Sequence, residues 1–183
     1  MLTLRHILPL ALALALSGCN TTSIDKATIY YDRSDYSAQV PKDVPAITEP
    51  ILQHGRCVVQ IATPGANLAP NTFCTFALTK DQLFVQSWDA STLRYNNILT
   101  IELAQLKAID LASFLRTKQI KLQEKQRLVA FSAIIDDGGY IDGAATESIY
   151  QRIQSRGIVS SGNDDLVKTP APPTTFIPII IPR

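Results

Sequence analysis

Three cysteines carry the most distinctive chemistry in this chain of 183 residues, because a thiol can take part in lipid attachment, in a disulfide or in a metal site. They are Cys19, Cys57 and Cys74. The first closes a segment that has Arg5 near its start and an apolar run over residues 7–16. That run is about half of the ~20 residues that a membrane span needs. A basic start, a short apolar run and small residues at its end predict a secretory signal over residues 1–18.

The stretch Leu16-Ser17-Gly18-Cys19 resembles the lipobox of bacterial lipoproteins. In that family the chain is cut before the cysteine, whose sulfur and new amine are then acylated, so the resemblance implies lipidation of Cys19. Several acyl chains hold a protein durably at a membrane. The next residue is Asn20 rather than the aspartate that commonly retains proteobacterial lipoproteins at the inner membrane. The resemblance therefore implies the outer membrane, with the body facing the periplasm.

With Cys19 assigned to lipid, Cys57 and Cys74 remain as an even pair in an oxidising compartment, where disulfides persist. Side chains alternate across a strand, and each of these cysteines falls on the more apolar face of a predicted strand. We therefore expect a Cys57–Cys74 disulfide, worth roughly 3 kcal/mol in the loop-entropy model. The alternative is a pair of buried thiols.

The charge balance argues against two classes of partner. Residues 1–18 contain Arg5 and no acidic residue, which leaves 16 basic and 16 acidic residues after cleavage. Nucleic acid needs a basic field to offset its phosphates, so it is not an expected partner. Recruitment by charge to anionic lipid is not expected either, and the lipid anchor makes it unnecessary.

Catalytic, metal and cofactor sites are not predicted. His54 is the single histidine after cleavage, and no serine has an elbow motif around it, so we expect a surface histidine. Zinc would need more histidine or cysteine ligands. Asp136 and Glu147 have the outer spacing of a calcium loop, but the positions between them lack its ligands and its turn glycine. A turn followed by a helix cap at Asp142 is favoured.

Aromatic residues supply the candidate partner-binding positions. Phe84, Trp88 and Tyr95 flank one predicted loop, and exposed aromatic side chains can anchor partners. Core packing is the alternative for these three residues. The stretch Ile29-Tyr30-Tyr31 is unusual for a linker, and it is expected either to dock on the domain or to lie at a binding surface.

The elements that must position these residues are mostly strands. Short β-branched and aromatic runs between residues 54 and 135 predict seven strands. The apolar period then changes, and Ala145, Ile149 and Ile153 form one stripe on a helix over about Gly143 to Arg156. The expected fold class is mainly β with one C-terminal helix (α+β).

Two stretches resemble the pleckstrin-homology-like (PH-like) superfold, specifically GRAM-type and bacterial PH-like domains. They are Thr75–Val85, which looks like a characteristic hairpin, and Ile98–Ile109, which looks like the element after it. The resemblance implies a seven-stranded barrel or sandwich over residues 54–158, capped by the amphipathic helix. A lipocalin-like fold or an open β-sandwich is the alternative. The first hairpin loop, Thr63–Thr72, has no charged residue, so phosphoinositide binding there lacks its main attraction.

Segments outside this domain are expected to be extended. Residues 19–53 read as the lipidated cysteine and a tether, in which Pro41, Pro45 and Pro50 disfavour a continuous helix. Residues 159–183 read as a Pro-rich tail. Its apolar stretch Phe176–Ile181 is expected to add to a sheet edge, bind a partner or form a sticky end.

Three functions are compatible with these features. The preferred one is a non-catalytic outer-membrane lipoprotein that binds a protein or another envelope component. The second is a carrier of a small apolar ligand in a β-barrel cavity. An enzyme of the cell envelope is the least favoured, because the sequence offers no catalytic constellation.

Overall fold

The computed structural model of the protein describes residues 30–136 and 139–171. Within those residues the chain forms two α-helices, seven strands and a short 3₁₀ turn at Leu103–Gln105. The helices are α1 (Tyr36–Asp43) and α2 (Gly143–Gln154). The strands are β1 (Gln53–Ala62), β2 (Thr72–Leu78), β3 (Gln82–Asp89), β4 (Arg94–Glu102), β5 (Ala108–Phe114), β6 (Thr117–Gln123) and β7 (Leu128–Ile134).

The seven strands form one open antiparallel sheet in the order β4-β3-β2-β1-β7-β6-β5. Hairpins join neighbouring strands, and β1 also pairs with β7, which joins the two halves of the sheet. β4 and β5 form the two edges, because the chain leaves β4 through the 3₁₀ turn before it enters β5. The predicted mainly β fold with one amphipathic helix at its C-terminal end is confirmed.

The inner face of the sheet forms the main core against α2. Phe76 and Phe131 meet edge to face there, with ring centroids 5.2 Å apart. Gly55 lies beside them, where a Cβ atom would approach the Phe76 ring to 3.1 Å. The absence of a side chain at Gly55 thus lets β1 pass close to this aromatic pair.

The predicted cap and apolar stripe of α2 are both present. The Asp142 carboxylate accepts a hydrogen bond of 2.9 Å from the backbone N–H of Ala145. The buried hydroxyl of Thr146 accepts from the Ala133 N–H at 3.0 Å, which ties the first turn of the helix to β7. Ile149 and Ile153 then carry the stripe into the core.

The outer face of the sheet is also covered, because α1 lies across β2, β3 and β4. Tyr36 and Val40 are the buried residues of this helix, and they pack with Ala77 and Phe84. Pro41 lies inside the helix, so the prolines of the expected tether do not prevent a helix here. The burial of one apolar face stabilises this short helix despite the backbone hydrogen bond that proline removes.

The chain after α2 returns across β5 and β6 and ends its described part beside the β1–β2 loop. The Ile109 N–H donates to the Val159 carbonyl, and Lys168 forms a parallel bridge with Leu68. Residues 159–168, which the sequence assigns to a tail, are therefore held against the sheet. The apolar stretch Phe176–Ile181 lies outside the described residues.

Candidate functional site

An apolar cleft of about 500 Å³ opens between the start of α1 and the far end of the β3–β4 hairpin. Small-molecule sites in proteins commonly have volumes of about 300–1,000 Å³ and mostly apolar walls. The residues around this cleft are Tyr30, Asp32, Asp35, Tyr36, Gln39, Trp88, Leu93 and Tyr95.

Aromatic rings form the floor and one wall of the cleft. Tyr36 and Tyr95 lie at the floor, each 1% exposed. Trp88 is half-buried and faces Tyr95 across the β3–β4 register, with ring centroids 5.0 Å apart. Tyr30 is 46% exposed and packs on Trp88 with a centroid distance of 4.5 Å. Leu93, which is 67% exposed, adds an aliphatic side chain from the hairpin turn.

Hydrogen bonds fix the N-terminal segment to the sheet at this position. The Asp43 carboxylate accepts from the backbone N–H of Tyr95 at 3.1 Å, which attaches the end of α1 to β4. The Tyr95 hydroxyl donates to the Tyr30 carbonyl at 3.3 Å. The Tyr36 hydroxyl donates to Oε1 of Gln86 at 2.5 Å beneath the helix. The floor of the cleft is therefore held in place before any ligand arrives.

The charged residues that line the cleft are both acidic. Asp32 accepts hydrogen bonds from the hydroxyl and the backbone N–H of Ser34, and these bonds lower the pKa of the Asp32 carboxyl. Asp35 precedes α1, but its side chain makes no capping hydrogen bond to the helix. The Asp35 carboxylate is exposed at the rim. The cleft thus combines aromatic faces with negative charge.

The phenols at the floor stay protonated at any physiological pH. Burial is the main cause that raises the pKa of both Tyr36 and Tyr95 far above the ordinary value. These side chains therefore act as neutral ring faces and hydroxyl donors rather than as bases or nucleophiles.

The three aromatic residues predicted to contact a partner have separate positions. Trp88 lines the cleft, and Tyr95 forms part of its floor with little exposed surface. Phe84 is fully buried under α1, so it belongs to the core rather than to a binding surface. Tyr36 and Leu93 are part of the site but were not predicted from the sequence. The tyrosines at positions 30, 31 and 36 could have indicated that this segment packs on the domain or contributes to a binding surface, because tyrosine is unusual in a tether.

His54 is not the surface histidine that the sequence predicts. Its Nδ1 lies 2.9 Å from the Tyr31 hydroxyl, and its ring stacks on Tyr36 with centroids 5.1 Å apart. Burial, with a further contribution from Arg33, lowers the pKa of His54. The ring is thus a neutral packing partner of the tyrosines at neutral pH.

Cys57 and Cys74 lie on the same face of the sheet, as strand alternation predicts. They also face each other across the β1–β2 register, but they are free thiols. The expected disulfide is not formed. The Cys74 thiol instead donates to the Cys57 carbonyl at 3.3 Å, and both cysteines are buried. Burial raises the pKa of the Cys57 thiol well above its usual value, and the neighbouring Cys74 thiol raises it further. The alternative of two buried thiols therefore describes this structure.

Thiol titration of a Cys19→Ser variant is expected to detect both cysteines in denaturant, without any reductant. In the native protein a thiol reagent should react more slowly by about a hundredfold or more, because exposure requires local opening and the protonated thiol is a poor nucleophile. A sample reduced beforehand is the control and should give the same count. Denatured protein whose thiols react only after reduction would contradict the free-thiol state.

The described acidic residues around the start of α2 have other partners. Within the described residues no group of three or more potential ligands from His, Cys, Asp and Glu comes together. Asp136 pairs with Arg33 at 2.7 Å, and Glu147 pairs with Lys118. Asp142 caps α2, as the sequence analysis favours.

Side chains fill the interior between the inner face of the sheet and α2. Phe76, Ile101 and Phe131 are among the residues there with almost no exposed surface. A small apolar ligand carried inside the domain would have to replace such side chains. The aromatic cleft on the outer face is therefore the better candidate for a ligand.

A second, polar cavity of about 160 Å³ lies where residues 161–167 cross β5 and β6. Asp110 and Lys121 are opposite each other in the register of these strands, and both are buried. Asp110 accepts from Ser160, Ser161 and Gly162, whereas the Lys121 ammonium donates to the Asp165 carbonyl at 3.0 Å. These contacts attach the C-terminal segment to the sheet, so we assign the cavity a structural role.

Neither helix of the described residues has the length and apolar character that crossing a bilayer requires. The sequence matches none of the protein-family models and none of the curated proteins with which it was compared.

Proposed function

We propose that this protein is a non-catalytic binding module, held by lipid on Cys19 at the periplasmic face of the outer membrane, whose ligand occupies the aromatic cleft. The cleft is the observation that carries the proposal, because it presents preorganised aromatic surface at the protein exterior. The lipobox-like stretch supports the anchor. Cys19 itself lies outside the described residues.

A binding role fits the chemistry of the cleft better than catalysis does. Its titratable side chains include the Asp32 carboxyl, whose pKa is lowered by the hydrogen bonds from Ser34, and the phenols of Tyr36 and Tyr95, whose pKa values are raised by burial. The histidine nearest to this region is neutral and packed between tyrosines. General acid–base catalysis needs a group with a pKa near the working pH in reach of the substrate.

The position of the cleft differs from the binding groove that the PH-like resemblance implies. PH-like domains commonly bind peptides at a strand edge or beside the C-terminal helix. Here α2 packs on the inner face of the sheet, whereas the cleft lies on the outer face beside α1. The proposed contact surface therefore includes residues 30–39, which lie outside the region that the PH-like resemblance covers.

Site-specific photo-crosslinking in cells tests the binding role. A photoreactive amino acid at Leu93, on the cleft rim, is expected to give a reproducible adduct. The same residue at Leu115 is the matched control, because Leu115 is 90% exposed and also lies in a hairpin turn with positive φ. Trp88→Ala should reduce the Leu93 adduct by about tenfold or more, as expected for an aromatic anchor. Equal adducts from both positions would contradict a specific cleft.

Fatty-acid labelling tests the anchor separately. Label is expected in the wild-type chain of the outer-membrane fraction and should disappear in Cys19→Ala. Unlabelled wild-type protein would contradict the anchor without bearing on the cleft.

A further inference from the structure

We infer that the aromatic cleft binds a small organic cation with a quaternary ammonium group. This inference names the ligand class for the site described above, so it rests on the proposed function. Three properties favour this ligand class: the aromatic lining of the cleft, the sign of its charge and the weak hydration of a quaternary ammonium.

The ring faces supply the first attraction. An aromatic face carries partial negative charge and attracts a cation within about 6 Å of its centroid, most strongly in tryptophan. Trp88 and Tyr30 are in contact with each other, and both retain accessible surface at the cleft. Tyr95 extends this aromatic surface toward the floor, with its ring 6.5 Å from that of Tyr30. One cation in the cleft would therefore lie near several rings.

The rim supplies the second attraction. Asp32 and Asp35 are the charged residues of the lining, and none of the lining residues is basic. The start of α1 contributes about half of a positive charge at this end, which is smaller than the charge of two carboxylates. The charges of the lining residues themselves therefore favour a cation and disfavour an anion.

Hydration decides between kinds of cation. A primary ammonium is strongly hydrated and needs hydrogen-bond acceptors when it loses water. The walls formed by Tyr30, Trp88 and Leu93 offer mainly aromatic and aliphatic carbon. A quaternary ammonium has no N–H to satisfy, and its methyl groups can contact these walls directly.

Asp35 places a carboxylate at the rim of the cleft that α1 does not use as a cap. This residue is at the N-cap position of α1, where a carboxylate usually accepts a backbone hydrogen bond, yet it makes none. Its charge is thus available at the opening of the cleft. Asp32, in contrast, is already engaged with Ser34.

Trp88 is the single tryptophan of the chain, so intrinsic fluorescence reports directly on the cleft. The full mature chain with Cys19→Ser would be titrated with choline and, separately, with 3,3-dimethylbutan-1-ol, which has the same shape without the charge. Sodium chloride keeps the ionic strength constant. We expect choline to bind about five- to thirtyfold more tightly than the neutral alcohol.

Matched variants separate charge from shape. Tyr30→Leu keeps apolar bulk but removes a ring, and it should weaken choline binding by about twofold to fivefold with little change for the alcohol. Asp35→Asn should have a similar effect through the lost charge. Asp164→Asn is the control, because this exposed carboxylate lies outside the cleft lining, and it should change neither affinity.

Two results would overturn the inference. Equal affinities for choline and the alcohol would make the cleft a purely apolar site, and no fluorescence response to either would exclude this ligand class. Both results leave the crosslinking from Leu93 untouched, so failure of the ligand class can be distinguished from failure of the binding role.

Discussion

Tyr36→Ala is expected to lower the free energy of unfolding by about 4 kcal/mol, a large part of the stability of a domain of this size. Tyr36 is 1% exposed and joins α1 to the outer face of β2 and β3. The substitution removes a large buried side chain and also the hydrogen bond to Gln86. Because Nε2 of Gln86 already lacks a partner, this buried amide would then be left almost unsatisfied.

Urea unfolding followed by Trp88 fluorescence measures the effect. Tyr30→Ala is the matched control, because this tyrosine belongs to the same segment but is about half exposed, and its loss should cost about 1 kcal/mol or less. Tyr36→Phe should cost about 1–2 kcal/mol, since it removes the hydroxyl and keeps the ring. A Tyr36→Ala protein as stable as the Tyr30→Ala protein would show that α1 does not contribute to the folded core.

Asp110→Ala is expected to lower the free energy of unfolding by about 3 kcal/mol at neutral pH. The carboxylate accepts hydrogen bonds of 2.5–3.0 Å from Ser160, Ser161 and Gly162, which hold the C-terminal segment. It also lies opposite the buried Lys121 in the strand register and favours the charged ammonium, whose pKa is lowered by burial. Without Asp110, the charged ammonium would remain buried with less compensation.

The effect of Asp110 should depend on pH. Burial alone would raise the pKa of this carboxyl, but the hydrogen bonds from Ser160 and Ser161 outweigh burial, and the pKa is lowered. A carboxyl with a lower pKa in the folded state stabilises above its unfolded pKa of about 4, and this contribution disappears as the pH falls through the folded value. The difference in unfolding free energy between wild type and Asp110→Asn should therefore shrink at pH 3.

Denaturation at pH 7 and pH 3 measures both effects. Asp164→Ala is the control, because this carboxylate is exposed in the same segment, and it should change stability by less than about 0.5 kcal/mol. A constant difference between wild type and Asp110→Asn at the two pH values would contradict the assigned role of the charge.

Short-range sequence patterns predicted the seven strands and α2, because the residues that specify these elements lie close together in the sequence. The strands follow from period-two runs of β-branched and aromatic residues, and α2 follows from its stripe and from the cap at Asp142. The same alternation correctly placed Cys57 and Cys74 on the apolar inner face of the sheet. It did not predict their bonding state, because a register brings two thiols together without oxidising them.

The second layer on the sheet could not be predicted from local pattern. Proline and polar residues make the segment around α1 resemble a tether, and its helix is stabilised by contacts with strands more than thirty residues away. A signal was nevertheless present in β2 and β3. Ala77 and Phe84 make the outer face apolar, next to an inner face that is apolar as well, which is typical of strands covered on both sides.

The sequence alone determined the order of strands and helix along the chain, the positions of the three cysteines and the nearly neutral charge, because these depend on composition and on short-range periodicity. Only the tertiary structure decided which aromatic residues meet. Residues 30–39 and 88–95 form one cleft because α1 folds back over the β3–β4 hairpin. That arrangement depends on the burial of side chains that are distant in sequence, so local periodicity alone does not determine it.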